Sequence, residues 1–210
     1  MMENLDNDIR IAPTSRRRRL YGVRDGASVL AVTTACAATA LGFAATAGTG
    51  AWTGAEALAK AVLSDQQNLF LSLPLAFSSA VTAAGATLEI GSALVQRAND
   101  RAARKFNYAP RAVRSFTRAA TQGLTDAGRF VKTLGAGTLG IVGTITIGSN
   151  ISANLDQAYP EHPVRGLVAG YFTGFFTSAT GAIAIHEISG AIRNTLRGNR
   201  IPSPRPSARP

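Results

Sequence analysis

Residues 166–193 read GLVAGYFTGFFTSATGAIAIHEISGAIR. No charged residue occurs over the twenty positions 166–185, and His186 and Glu187 then precede the first arginine. Twenty residues of α-helix rise about 30 Å, the thickness of a bilayer's hydrocarbon core. Three further windows, 26–55, 66–88 and 133–155, are equally free of charge. None is a continuous Leu, Ile or Val run, and with 21 glycines the mean hydropathy of the chain is only +0.09. Hydropathy alone therefore leaves a soluble bundle open, and the placement of charge decides between the two.

Of the 22 basic residues, all but Lys60 and Arg165 lie before the first window, between the second and third, or after the fourth. The connections 56–65 and 156–165 hold those two alone. This alternation is the positive-inside pattern of a polytopic membrane protein, and a soluble bundle has no reason to sort its charge in this way. The sequence predicts an all-α, polytopic membrane protein with four transmembrane helices in two hairpins. Both termini and the central loop are expected on the cytoplasmic side. The divisions are a basic N-terminal segment (1–25), a first hairpin (26–96), a basic loop (97–132), a second hairpin (133–192) and a Pro/Arg-rich tail (193–210). The tail, with too little apolar surface to pack, is expected to be disordered.

The second window leads into EIGSALVQR at 89–97, and the fourth into EISGAIR at 187–193. Each places Ile, two small residues, Ala and an aliphatic residue after a glutamate. An internal duplication of one helical hairpin accounts for the match, and chance similarity of Ala/Gly-rich strings is the competing explanation.

Small residues recur every fourth position: Gly166, Gly170, Gly174, Ser178 and Ala182 in the fourth window, and Ala136, Gly140, Thr144, Gly148 and Ser152 in the third. Such spacing makes a groove that lets helix backbones approach in lipid, where apolar burial between helices gives little drive. Gly140, Gly148, Gly166, Gly170, Gly174 and Ser178 are the expected packing positions. Continuing by four from Ala182 reaches His186, with Glu187 beside it. Glu89 stacks similarly with Gly85 and Ala93. A carboxylate one to two turns inside a helix end is costly to dehydrate, so Glu89, Glu187 and His186 form a candidate proton or cation site. The alternative is that both glutamates reach the interface and pair with Arg97, Arg193 or another cytoplasmic arginine.

Within the basic loop, Arg111, Arg114 and Arg118 share one helical face, opposite Val113, Phe116 and Ala120. They are the expected contacts with anionic lipid. Cys36, the single cysteine, lies in an uncharged window without a nearby base and reads as a packing residue. Without a phosphate-binding loop, a metal-ligand motif or a nucleophile–base constellation, the chain is not expected to be an enzyme, and no cofactor or metal is implied.

The expected partners are a bilayer containing anionic lipids and, since four helices enclose little space, further copies of the chain. The basic residues are assigned to topology rather than to nucleic acid. The function expected is that of a small transporter or channel subunit. A secreted or virus-like membrane-inserting effector and a non-transporting membrane scaffold are the alternatives. Single cysteines placed in 56–65 and 156–165, after replacement of Cys36, should label from the side opposite the termini. Labelling from the same side would contradict the topology.

Overall fold

The computed structural model describes residues 15–63 and 65–197. The N-terminal fourteen residues and residues 198–210 lie outside them; of the tail expected to be disordered from 193 onward, residues 193–197 are instead the helical end of α4, and the rest falls outside the described residues. Four helices make up the fold: α1 (Ser15–Val62), α2 (Asp65–Lys105), α3 (Arg111–Ala158) and α4 (Pro163–Arg197). All four are long and apolar enough to cross a membrane. At 48 residues, α1 and α3 are each about 72 Å long, more than twice a hydrocarbon core.

The expected basic loop is therefore mostly helix. Arg97 to Lys105 complete α2, and α3 runs without interruption from Arg111 into the third uncharged window. Only residues 106–110 connect them. Pro110 stops α2 from continuing and accepts the first helical bond of α3, from Arg114 N. Pro163 opens α4, where a missing N–H costs nothing.

Consecutive helices run antiparallel, and close contacts fix their register. Gly91 of α2 faces Ala40 of α1, and Gly48 of α1 faces Ala80 and Ala84. Between α2 and α3, Gly85 lies on the Lys132 backbone, Gly128 on that of Glu89, and Gly135 on Thr82. A Cβ at any of these three would come within 3.0 Å of a backbone atom, so only glycine permits the spacing. The α2–α3 crossing is as close as any within the two expected hairpins. The helices thus form one continuous bundle rather than two self-contained pairs.

Between α3 and α4, Gly170 meets Gly148 and Ser152, Gly174 meets Thr144 and Gly148, Gly148 also meets Tyr171, and Gly143 faces Ser178. Gly166 abuts Asp156. Gly140 differs from the expectation: a Cβ there would meet nothing within 4 Å. In α1 the inward face is Ala40, Ala44 and Gly48, while a Cβ at Gly42 or Gly50 would meet nothing within 4 Å. The reason is geometric. Steps of four drift about 40° per turn, so a strict spacing of four cannot hold one face along a helix of this length.

Registration also corrects the first window. The windows of α2 and α3 end at one level, beside Glu89 and Lys132, and that of α4 ends one turn before Ser189, which meets Lys132 there. The α1 window overshoots this level, for Gly26 lies against Pro110 and Thr33 against Asn99.

The interior is unusually polar. Glu89, Ser92, Thr117, Thr121, Thr125 and Lys132 are all buried, whereas Phe77, Ile141, Phe172, Phe176 and Ile183 face outward. Burying hydroxyls while exposing aromatic rings is unfavourable in water and suited to lipid. Gly170→Leu should separate α3 from α4 and lower stability in detergent by about 1–3 kcal/mol or more, while Gly140→Leu should leave it nearly unchanged. Equal thermal shifts for the two would contradict this packing.

Candidate functional site

Along α3, Thr117, Thr121, Thr125, Gly128, Lys132 and Gly135 follow one another at spacings of four and three, and all are buried. This is the face that meets α2. Thr121 and Thr125 each return their hydroxyl to the carbonyl four residues back, and Thr125 Oγ1 also lies 2.9 Å from Ser92 Oγ, within hydrogen-bonding distance across the seam. Such bonds keep polar side chains satisfied between close helices.

At the next turn the seam becomes ionic. Lys132 Nζ donates to Glu89 Oε2 at 2.5 Å and to Ser189 Oγ of α4 at 2.8 Å. Glu89 is 2% exposed and Lys132 1%. The other carboxylate oxygen, Oε1, accepts from Arg193 Nη1 at 2.5 Å and Arg129 Nε at 3.3 Å. One carboxylate thus gathers three cations from two neighbouring helices. A cleft of about 550 Å³ opens above it, between α2, α3 and α4.

Glu187 and His186 line this cleft from α4, but both are exposed. The side chains that reach Glu89 are cationic, and no carboxylate pairing with Glu187 forms. Although repeat-equivalent in the sequence, the two glutamates occupy unlike settings. His186 falls off the small-residue groove, and the inward face of α4 passes instead through Ile185 to Ser189. The same drift of a four-residue step is responsible. Of the arginines expected at lipid, Arg114 braces the α2–α3 turn, donating to the carbonyls of Phe106 and Asn107. Arg111 and Arg118 are exposed, and Arg118 borders a polar groove with Asn99, Asp100 and Thr121. Among the described residues, no three His, Cys, Asp or Glu side chains are placed to hold a metal ion.

Lys132 and Arg129 are the site residues that sequence reasoning assigned to the loop. The signal that could have found Lys132 was its phase with Thr117, Thr121, Thr125 and Gly128. Comparison of the chain with protein-family models, with characterised proteins and with solved structures found no match.

A buried ion pair resists loss of one partner because the other is left charged and dry, at a cost of about 3–5 kcal/mol. Arg129, nearly half-exposed, should contribute roughly 1 kcal/mol or less. Lys132→Met and Glu89→Leu should each destabilise strongly, and the double variant should lose less than either single one. Unfolding in detergent micelles checks this, and additive losses would show that the two side chains are not coupled.

Proposed function

We propose that the chain is an integral membrane protein acting as a small transporter or channel subunit, with the α2–α3–α4 cleft as its polar site. The observation that carries this reading is the buried Glu89–Lys132 pair at the floor of an open cleft, where the uncharged windows of three helices end. Ionisable groups held at such depth mark solute or proton pathways, because packing alone is achieved more cheaply by apolar residues.

Two further features support movement around this point. α4 is clamped to α3 at Gly166, Gly170 and Gly174, but Gly181 and Gly190 meet nothing within 4 Å. Beyond the clamp its basic end is joined to the bundle by polar contacts, Arg193 to Glu89 and the buried Ser189 to Lys132. Deeper along α4 lies a cavity of about 270 Å³ lined by Thr146, Ser178, Gly181 and Ile185. The hydroxyl oxygens of Thr146 and Ser178 are buried there without hydrogen-bond partners. Buried hydroxyls without partners are costly, and these two are shut off from the cavity in this arrangement, so a shift of α4 against α3 would be needed to open them to it.

In this mechanism Glu89 exchanges cationic partners: release of Arg193 frees α4 to swing about its glycine clamp, and Lys132 keeps the carboxylate neutralised meanwhile. Glu187 and His186, at the rim, set the charge met on entry. A pore would require further copies, since four helices enclose little space. Reconstituted into liposomes, the protein should carry protons, potassium or inorganic phosphate above the empty-vesicle rate. Glu89→Gln with Glu187→Gln should lower that flux roughly tenfold, the effect of about 1.4 kcal/mol on a barrier. No flux of any of the three, or equal flux in the variant, would reject the reading.

A further inference from the structure

We infer that the cleft between α2, α3 and α4 binds a phosphate-bearing anion, held by Arg129 and Arg193 over the buried Lys132. The inference rests on the reading of this cleft as the functional site and names the chemistry it would take.

Charge balance is the first argument. Lys132, Arg129 and Arg193 converge on the single carboxylate of Glu89, so three cations face two carboxylates, Glu89 and Glu187, in the cleft lining, while Asp126 approaches Arg129 from outside it. A half-enclosed cleft with surplus positive charge attracts an anion more strongly than the same charges would in open water.

Donor balance is the second. Arg193 gives Nη1 to Glu89, its Nη2 reaches Asn194 only at 3.5 Å, and its Nε is buried without a partner. Arg129 gives Nε to Glu89 and lies 3.9 Å from Asp126 through Nη1. Both guanidinium forks thus retain donors that Glu89 does not use. Planar forks of this kind suit the paired oxygens of a phosphate group.

Space and position complete the case. The wall at Gly190 is open, since a Cβ there meets nothing within 4 Å, and about 550 Å³ holds a phosphate together with the group that carries it. The cleft lies where the uncharged windows end, the level at which lipid phosphates and aqueous anions are both within reach. The shared chemistry is the phosphate group, and experiment separates its two sources.

The full chain in neutral detergent is titrated calorimetrically with inorganic phosphate and, separately, with a short-chain phosphatidylglycerol. Binding of either is expected. Arg129→Gln, which keeps the Glu89–Lys132 pair, should weaken it roughly tenfold, the loss of one charge-assisted contact. Gly190→Phe should do the same by filling the cleft without altering charge. Binding of the lipid alone assigns a headgroup, and binding of free phosphate alone assigns a soluble anion. Either result supports the inference. Absence of binding by both probes, or affinity unchanged in both variants, would overturn it. Phosphate binding without liposome flux would retire transport and keep the anion site, whereas flux without phosphate binding would do the reverse.

Discussion

A carboxylate that is 2% exposed needs a cation beside it, and the Glu89–Lys132 pair is the constraint around which this bundle is organised. At this pair the backbones of α2 and α3 come unusually close. Gly85 and Gly128 provide that approach, each lying against the backbone of the opposing ionic residue. α4 is then fixed at this level by polar bonds, through Ser189 to Lys132 and Arg193 to Glu89, rather than by apolar packing. The tightest helix crossing, the most deeply buried charges and the mouth of the cleft therefore coincide.

The rest of the chain follows the same inversion. Hydroxyls of Ser78, Thr82, Thr125 and Ser152 lie inside, and the large rings of α2 and α4 lie outside. In lipid each choice is favourable, because hydroxyls return hydrogen bonds to their own helix or its neighbour while rings meet acyl chains. The basic ends prolong the bundle beyond the uncharged windows as helix, so the arginines that signal topology sit on a rigid projection. Asp25 joins that projection to the α2–α3 turn by accepting from Tyr108 N at 3.1 Å.

Much of this was legible in the sequence. Absence of charge marked four helices long and apolar enough to cross a membrane, because a charged side chain in hydrocarbon is so costly that its exclusion leaves long blank windows. For Glu89 the sequence left two readings open, and Arg193, one of the arginines it offered as a partner, does reach the carboxylate. The buried partner was not legible: Lys132 adjoins a blank window and, counted one residue at a time, belongs with the loop cations. Only its helical phase with Thr125 and Gly128 places it inside. Gly140 dropped out of the contact and His186 left the inward face because exact steps of four slip around the helix over several turns. The overshoot of the first window was equally hidden. Charge patterning reports what each helix tolerates, and only contacts such as Ala40 with Gly91 report its level relative to its neighbours.

A membrane-embedded bundle requires lipid around the outward rings while the polar seam stays inside. Spin labels at Phe77, Ile141 and Phe172 in liposomes test this directly through their collision rates with dissolved oxygen and with a water-soluble nickel chelate. All three should relax strongly with oxygen and weakly with nickel. Strong nickel relaxation at all three would mean that water bathes these faces, and the membrane-embedded bundle would have to be given up.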